Sequence, residues 1–272
     1  MKRVLITGAN SYIGTSFEKY IKENYQNDYE VDTVDMIDGS WREKSFAGYD
    51  SVFHVAGIAH QKETAENAHL YYEINRDLTI EVARKAKEDG VPQFVFLSSM
   101  SVYGKETGVI TKETEPSPKT NYGKSKLQAE EKTMELSDDS FKVCVLRPPM
   151  VYGVGCKGNF QSVVKIVKKF PIFPRVKNKR SLIRIDNLIS FVKLCVDKEL
   201  CGLYFPQNRE YVAVTDLAKE AAKNLKKRIY FSFLLGFIVV IVRPFSRTLK
   251  KAFGNLIYKD TEEFGFEYCE EK

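Results

Sequence analysis

The sequence predicts an α/β protein built on a doubly wound parallel sheet, with a small C-terminal domain. Three features support this prediction: short apolar runs that alternate with helical segments, a glycine-containing turn after the first run, and small residues at the ends of later runs. Strands that alternate with helices in this way form parallel sheets. The 272 residues suffice for one large domain and a smaller second one.

Composition places the chain among folded globular proteins. Hydrophobic residues make up 43% of it and charged residues 29%, and the net charge of +6 fits an anionic substrate. No motif of interleaved aromatic and basic residues is present, so we predict no nucleic-acid binding. Five cysteines without a Cys-x-x-Cys pair and three histidines at no ligand spacing predict neither disulfides nor a metal site. We expect a cytoplasmic protein, because the strand that starts beside Met1 leaves no place for a signal peptide.

The first predicted strand, Val4 to Thr7, is followed by a turn that can hold a phosphate group. Gly8 permits a tight turn there, and Gly14 lets the next helix approach the strand closely. The N-terminus of that helix offers free N–H groups and a partial positive charge. The predicted cofactor-binding residues of this turn are Gly8, Asn10, Ser11, Tyr12, Ile13 and Gly14.

The second predicted strand, Tyr29 to Val34, ends at an acidic residue, Asp35. This residue lies about 20 positions beyond the glycine turn, where a carboxylate accepts hydrogen bonds from the ribose of adenosine. The same carboxylate would repel a 2′-phosphate, so Asp35 favours NAD over NADP. A solvated aspartate at the end of a strand is the alternative, and Asp38 is a nearby competitor for the adenine end.

The remaining patterns complete the predicted sheet. The segment from Ser51 to Gly57 reads as a buried strand ending in small residues, and Ala56 is a predicted cofactor contact because small residues let a cofactor lie across the strand ends. The other predicted strands are Gln93 to Leu97, Phe141 to Leu146 and Gly202 to Phe205, and further helices are predicted for Leu70 to Glu88 and Thr215 to Leu225.

Tyr122 and Lys126 form the central chemical motif of the chain. They are four residues apart, so on a helix both side chains lie on one face. A phenol has a pKa of about 10, and moving it to near 7 needs roughly 4 kcal/mol. A nearby ammonium group and a cationic nicotinamide ring could supply that free energy together. The pair is a candidate proton shuttle for hydride chemistry on an alcohol, and a chance surface pair is the alternative.

The glycine turn, the Ser98-Ser99 turn after a later strand and the Tyr-x-x-x-Lys motif that begins at Tyr122 occur together. This combination resembles the extended short-chain dehydrogenases/reductases, and within them the NAD-dependent epimerase/dehydratase family. The resemblance covers essentially the whole chain and implies a Rossmann fold, NAD as cofactor and a nucleotide-diphosphate sugar as substrate. The family has glycine in the middle of the turn, where this chain has Ser11. Serine adds only a small side chain there, so we expect binding to survive.

The resemblance also implies roles for the catalytic residues. Tyr122 is the acid/base of the reaction. Lys126 is its electrostatic partner and is also expected to bind the nicotinamide ribose. Ser99 hydrogen-bonds the reacting sugar oxygen, and Ser98 and Ser101 are close enough in sequence to be alternatives.

Further site residues follow from the same resemblance. Asn75 resembles the family's site-positioning asparagine, and an asparagine on the helix surface is the alternative. Pro148 and Val151 lie in a segment that lines the nicotinamide in relatives. Asn159 and Arg180 are the predicted contacts of the substrate diphosphate, since a guanidinium group binds phosphate oxygens bidentately.

The predicted domain division follows the same pattern. Residues 1–152 form the NAD-binding domain, to which 180–205 return, while 153–179 and 206–272 form a small substrate domain. The stretch from Phe231 to Val242 is apolar with basic flanks, and is shorter than the roughly 20 residues that cross a bilayer. We expect it to be a buried helix of the small domain, with peripheral membrane contact as the alternative. A homodimer is among the assemblies that the sequence allows.

Several reactions share this machinery. A 4,6-dehydratase would need an Asp-Glu pair directly after the active serine, where Met100 and Ser101 stand, so that reaction is disfavoured. The predicted function is 4-epimerisation of a UDP-hexose or UDP-N-acetylhexosamine. The alternative is an NAD(P)H-dependent nucleotide-4-keto-sugar reductase in surface polysaccharide biosynthesis. A non-catalytic NAD-binding protein is disfavoured because Ser99, Tyr122 and Lys126 are all present.

Overall fold

A computed structural model describes residues 1–59, 61, 63–156 and 159–269, except for the side chains of Asn159 and Arg247. The strands are β1 (Lys2–Thr7), β2 (Tyr29–Val34), β3 (Ser51–His54), β4 (Gln93–Leu97), β5 (Gly108–Ile110), β6 (Lys142–Leu146), β7 (Met150–Tyr152), β8 (Ile172–Pro174), β9 (Leu182–Arg184), β10 (Gly202–Tyr204), β11 (Tyr230–Ser232) and β12 (Leu256–Tyr258). The helices are α1 (Tyr12–Asn24), α2 (Ala68–Tyr72), α3 (Leu78–Glu88), α4 (Asn121–Met134), α5 (Asn159–Lys169), α6 (Ile185–Asp197), α7 (Val214–Asn224), α8 (Phe233–Val242) and α9 (Arg247–Phe253).

Six parallel strands form the central sheet, in the order β2-β1-β3-β4-β6-β10. Both β2 and β3 pair with β1, so the order of the strands reverses there. Ligands of doubly wound sheets bind beyond the carboxyl ends of the strands at such a reversal. Val4, Leu5 and Ile6 are buried, as expected for a strand covered on both faces. The predicted doubly wound parallel sheet is confirmed.

Two segments have features that the sequence analysis did not predict. The chain passes from β2 to β3 through a short 3₁₀ turn at Ser40–Arg42 without an α-helix, and Trp41, Phe46 and Tyr49 cover that part of the sheet instead. The helix predicted as continuous from Leu70 to Glu88 contains a π-helical turn, Glu73–Asp77, between α2 and α3. Such turns in α-helices frequently occur at functional sites.

The small domain has its own hydrophobic core. Helices α5 and α7 pack together around Phe160, Val167 and Leu217, and two short parallel sheets, β7-β9 and β8-β11, lie beside them. The C-terminal segment leaves this core, because Tyr268 packs on Phe191 of α6 with ring centroids 4.6 Å apart. The division of the chain into an NAD-binding domain and a small substrate domain stays a prediction.

The prediction of a buried helix in the apolar stretch is wrong. In α8 only Gly236 is buried, and the large apolar residues on most of its circumference are exposed. Gly236 is required where the helix touches the domain, because an added Cβ would lie 2.1 Å from the carbonyl oxygen of Arg175. Within the described part of the chain, no helix is long and apolar enough to cross a membrane.

Candidate active site

The glycine turn lies at the carboxyl ends of β1, β2 and β3. The N–H groups of Gly8 and Ala9 donate to the carbonyl oxygen of Val34 at 3.0 and 3.2 Å, which joins the turn to the end of β2. Gly8 has a φ of +112°, and a Cβ there would lie 2.8 Å from the backbone nitrogen of Ala56. Only glycine allows this close approach between the turn and the residues after β3, and the contact of Gly8 and Ala56 with a dinucleotide stays a prediction.

Ser11 does more in this turn than replace a glycine with a small residue. Its hydroxyl oxygen accepts a hydrogen bond from the Gly14 N–H at 3.2 Å and thereby caps α1. Asn10 adopts a φ of 63°, and Ile13 is half-buried in the first turn of the helix. The hydroxyl of Tyr12 donates to the carbonyl oxygen of Val154 at 2.9 Å. The turn is thus tied to the segment that follows β7, although the cap uses one N–H that could otherwise face a phosphate.

The two candidate carboxylates for the adenosine end follow β2. Asp35 is exposed, and its Oδ1 atom accepts a hydrogen bond from the Ile37 N–H at 2.9 Å. Asp38 accepts from both the N–H and the hydroxyl of Ser40, which lowers the pKa of the Asp38 carboxyl. Asp35 directly follows the strand whose end touches Gly8, so it keeps the position that the sequence argument requires, and its contact with ribose stays a prediction.

The structure brings Ser99 and Tyr122 together. Burial raises the pKa of the Tyr122 phenol, the adjacent Ser99 hydroxyl acts in the opposite direction, and the neighbouring Tyr71 adds to the rise. Ser99 also accepts a hydrogen bond from the Ser101 N–H at 3.1 Å, which fixes its hydroxyl at the start of a 3₁₀ turn. The lowering of the Tyr122 pKa by the charges of Lys126 and of the cofactor together stays a prediction.

Ser98 and Ser101 were the alternatives to Ser99 as the residue that hydrogen-bonds the sugar, and the structure argues against Ser98. Ser98 is buried, and its hydroxyl donates to the carboxylate of Glu130. It faces the interior and cannot contact a substrate. Ser101 is exposed beside Ser99, and its Oγ atom accepts from Ser99 at 3.1 Å, so it can contribute to the same site.

Lys126 lies buried at the carboxyl ends of β3 and β4. Its ammonium group donates to the carbonyl oxygen of Leu97 at 2.9 Å and lies 4.7 Å from the ring centre of Phe96. Burial lowers the pKa of Lys126 from 10.5 to about 8, and Glu130 acts in the opposite direction. A Cβ on Gly57 would lie 3.4 Å from Nζ, so the amine borders the strand end where we expect the cofactor to lie.

Asn75 is fully buried in the π-helical turn, so the helix-surface alternative is wrong. Its side-chain oxygen accepts from the Ile58 N–H at 2.8 Å, and its amide nitrogen donates to the Ile58 carbonyl oxygen at 3.0 Å. The amide also lies 3.4 Å from the hydroxyl of Ser125 on α4. Asn75 therefore joins the loop after β3 to the helix that carries Tyr122 and Lys126.

Sequence reasoning missed the buried ion pair beneath Lys126. Glu130 accepts from the guanidinium group of Arg147 at 3.0 Å and 2.5 Å, and the two side chains are only 4% and 8% exposed. Arg147 also donates to the hydroxyl of Tyr103 at 2.7 Å. The spacing in the sequence could have indicated Glu130 as part of the site. Glu130 follows Lys126 by four residues and so lies on the same helix face as Tyr122 and Lys126.

Sequence reasoning also missed Glu63. Its carboxylate accepts hydrogen bonds from the N–H groups of Asn121 and Tyr122 at 3.2 and 3.1 Å, at the first turn of α4. Thr120 caps the same helix by accepting from the Gly123 N–H. The sequence gives no sign of this contact, because 58 residues separate Glu63 from Asn121. A carboxylate at this position also interacts favourably with the partial positive charge of the helix N-terminus.

The remaining predicted residues occupy varied positions. The carbonyl oxygen of Pro148 accepts from the Met100 N–H at 2.9 Å, which places Pro148 against the serine turn. Val151 is half-buried in β7 and pairs with Ile183. The Arg180 guanidinium donates through one nitrogen to two carbonyl oxygens near the end of α9, at 3.0 Å each, so its contact with substrate stays a prediction. The side chain of Asn159 lies outside the described residues.

Replacing Lys126 with methionine is expected to raise the free energy of unfolding near pH 7. The folded-state pKa of about 8 lies below the usual 10.5, so the buried ammonium costs the fold up to roughly 3 kcal/mol at neutral pH. As the pH rises above about 8 the folded protein loses this proton before the unfolded chain does, and the wild type gains stability. Urea denaturation near pH 7 and near pH 10 should show the advantage of the variant shrinking.

The exposed lysine Lys124 on the same helix provides the control for this experiment. The difference in free energy of unfolding between Lys124→Met and wild type should be about the same at the two pH values. A stability difference between Lys126→Met and wild type that does not depend on pH would contradict the expectation.

Replacing Glu63 with glutamine should weaken the start of α4. The variant keeps an acceptor oxygen but loses the charge that the helix N-terminus favours, so we expect a loss of about 1 kcal/mol in the free energy of unfolding. Turnover should fall with it, because Tyr122 lies in the turn that Glu63 holds. Urea denaturation and steady-state kinetics measure both effects. Glu66→Gln, an exposed neighbour in the same loop, is the control, and an equal effect there would contradict the capping role.

Comparison with known proteins agrees with this geometry. The model of the NAD dependent epimerase/dehydratase family matches residues 4–228. The chain is 31% identical to a UDP-glucose 4-epimerase of Vibrio cholerae, over 83% of this chain and 76% of the relative. It is 25% identical to an N-acetyl-alpha-D-glucosaminyl-diphospho-ditrans,octacis-undecaprenol 4-epimerase of Escherichia coli O157:H7, over 83% of this chain and 73% of the relative.

Solved structures show the same fold. The complex of MoeE5 with UDP-glucose and NAD superimposes with a TM-score of 0.71 at 18% identity, over 96% of this chain and 90% of that one. A dTDP-4-dehydrorhamnose reductase of Clostridium acetobutylicum superimposes with a TM-score of 0.69 at 21% identity, over 85% of this chain and 82% of that one.

The fold and the site define an NAD-dependent enzyme of the nucleotide-sugar epimerase/reductase class. The chain belongs to the NAD-dependent epimerase/dehydratase family. The predicted family, enzyme class and cofactor are thereby confirmed.

Proposed function

We propose that this protein is a 4-epimerase of a nucleotide-diphosphate sugar, with a UDP-hexose or a UDP-N-acetylhexosamine as its substrate. The observation that supports this most directly is that Ser99 and Tyr122 are neighbours at the strand ends, with Lys126 behind them and the Gly8 turn beside them. The relative from Vibrio cholerae, a UDP-glucose 4-epimerase, supports the reaction and the type of sugar.

In the proposed reaction the residues of the chain bind and deprotonate the sugar. Ser99 hydrogen-bonds the oxygen on C4 of the sugar, and Tyr122 removes the proton from that oxygen. Lys126 stabilises the phenolate of Tyr122 through its positive charge. NAD, when bound, supplies the hydride acceptor and donor. After the 4-keto sugar has turned its other face, C4 would receive the hydride on that face and so be inverted, and Tyr122 returns the proton to the oxygen.

The residues that follow Ser99 support this reaction over a dehydration. Met100 is buried, and Ser101 places a hydroxyl group beside Ser99. Neither side chain carries a carboxyl group that could remove or add a proton at C6. A 4,6-dehydratase therefore stays disfavoured.

The second candidate is a reductase of a nucleotide-4-keto-sugar, which uses the same Ser99, Tyr122 and Lys126. The similar fold of a dTDP-4-dehydrorhamnose reductase supports reduction as the alternative reaction. Asp35 favours NAD at the adenosine end, which fits an epimerase that retains its cofactor. The reductase is therefore our second candidate function, and as a reductase the protein would act in surface polysaccharide biosynthesis.

The substrate end of the proposal rests on diphosphate recognition. We propose that Asn159 and Arg180 contact the diphosphate of the substrate, in a cytoplasmic enzyme that can act as a homodimer. The relative from Escherichia coli O157:H7 acts on a sugar that is linked through a diphosphate to undecaprenol. The substrates of both relatives thus contain a sugar diphosphate. A lipid-linked sugar diphosphate should therefore be tested as a substrate beside the UDP-sugars.

The deciding experiment incubates the purified protein with UDP-sugars and without added cofactor. An epimerase with retained NAD converts each UDP-sugar into its C4 epimer, which chromatography or NMR detects. A reductase instead requires stoichiometric NADH or NADPH and a 4-keto-sugar. Tyr122→Phe is the negative control. Conversion by that variant at the wild-type rate would contradict the proposed mechanism.

A further inference from the structure

The outer surface of α8 exposes an unusual amount of apolar side chain. Phe233 is 69% exposed, Leu234 70%, Phe237 64% and Ile241 53%. Isolated exposed apolar residues are common on soluble proteins, but a contiguous patch of this kind marks an interaction surface. The helix contacts the small domain through Gly236 and Val239, and the large apolar side chains on the rest of its circumference are exposed.

Other apolar residues extend this surface. The pairing of β11 with β8 places Tyr230, which is 71% exposed, beside Ile172, which is 47% exposed. At the other end of α8, Phe245 is 88% exposed. We call α8 together with Tyr230, Ile172 and Phe245 the apolar surface.

The chain around the apolar surface is strongly basic. Residues 221–259 include nine lysines and arginines and no aspartate or glutamate, and residues 153–179 also contain no acidic residue. Arg175 lies 4.4 Å from the ring centre of Phe233, so one cation touches the helix itself. Lys226 and Arg228 precede β11, and both are exposed. The combination of apolar side chains with flanking cations complements a surface of anionic phospholipid.

The charge also argues against a second copy of this chain on the same surface. A symmetric dimer through α8 would bring two basic regions together, and like charges across an interface oppose association. An anionic lipid surface instead attracts the basic residues, and its acyl chains can surround the apolar side chains. The length of α8 agrees with such a position: ten residues extend about 15 Å, which is half of a bilayer core, so the helix can lie in the interface but cannot span it.

A cavity at the end of the apolar surface fits the same partner. Its volume is about 630 Å³, and Lys105, Lys119, Lys250, Glu106 and Phe245 are among the residues that line it. Three lysines beside an exposed phenylalanine suit a phosphate head group with its acyl chain next to it. Lys119 directly precedes the N-cap residue of α4, so this cavity lies near the start of the helix that carries Tyr122.

We propose that the apolar surface binds the face of an anionic lipid bilayer, with α8 in the boundary between head groups and acyl chains. The protein is then a peripheral membrane protein, held by apolar insertion and by the basic residues around it. This places the catalytic helix next to the membrane. The proposal does not depend on which sugar the enzyme converts.

Vesicle co-sedimentation tests the proposal with the full-length protein. Wild type should sediment with vesicles of phosphatidylglycerol and phosphatidylcholine, and less with phosphatidylcholine alone. The double variant Phe237→Ser/Ile241→Ser removes two exposed side chains one helical turn apart, and should bind anionic vesicles roughly tenfold more weakly or worse. The control is Ile37→Ser, at a residue 92% exposed elsewhere on the protein, which should bind like wild type.

Two outcomes overturn the proposal. The first is that wild type does not bind anionic vesicles, or that the double variant binds them as well as wild type does. The second is that light scattering without lipid shows a dimer which the double variant dissociates, because the apolar surface would then serve self-association. Tyr122→Phe should bind vesicles like wild type, so failure of the proposed reaction and failure of membrane binding remain distinguishable.

Discussion

Tyr122→Phe is expected to lower turnover by about 100- to 10,000-fold, the range associated with the loss of a general acid/base. The phenol oxygen of Tyr122 lies near the Ser99 hydroxyl, where the reacting oxygen of the sugar is expected. Phenylalanine removes this oxygen and keeps the ring that packs edge-on against Tyr71, with centroids 6.4 Å apart. The variant should therefore fold normally and bind NAD with wild-type affinity.

Single-turnover kinetics and calorimetric titration with NAD measure the two properties separately. Tyr72→Phe provides a matched control, since the Tyr72 hydroxyl hydrogen-bonds Asn121 on the same helix at 3.0 Å. We expect nearly wild-type turnover for this control. Unchanged turnover in Tyr122→Phe would exclude Tyr122 as the acid/base, whereas equal losses in both variants would indicate a structural effect.

Glu130→Gln is expected to destabilise the fold by about 3 to 5 kcal/mol, because it leaves the buried guanidinium group of Arg147 without its counter-charge. The same change should lower the pKa of Lys126 further, since the negative charge of Glu130 now raises it. Ser98 loses the carboxylate to which its hydroxyl donates. Both stability and the electrostatics of the site should therefore respond to one substitution.

Urea denaturation of Glu130→Gln and of Glu131→Gln tests this expectation. Glu131 is the exposed neighbour on the same helix, and its substitution should change the free energy of unfolding by less than about 0.5 kcal/mol. Replacing Glu130 and Arg147 together by methionine should cost less than Glu130→Gln alone, because no buried charge is then left unpaired. Equal stability of Glu130→Gln and wild type would contradict this account of the ion pair.

Features that depend on neighbouring residues could be predicted from the sequence, whereas features that depend on contacts between distant residues could not. The strands Tyr29–Val34 and Gln93–Leu97 have the predicted bounds. Apolar runs of this length identify buried strands without knowledge of their neighbours. The glycine turn was also readable, because the close approach at Gly8 needs a particular residue type in a short segment.

Other parts of the site depend on residues that are distant in sequence. The choice between Ser98 and Ser99 was open until the fold placed Ser98 against Glu130. The cap from Glu63 on α4 joins two segments that share no local pattern. A side chain's partner is set by which elements meet in space, and a single sequence does not contain that information.

The sequence by itself determined the alternation of strands and helices, the phosphate-binding turn and the spacing of Tyr122 and Lys126, because each depends on residues within a few positions of one another. Only the tertiary structure decided that α8 exposes its apolar side chains and that burial raises the pKa of Tyr122. The physical reason is that hydrophobicity states what a side chain favours, while its exposure and its pKa depend on the atoms that the rest of the chain places around it.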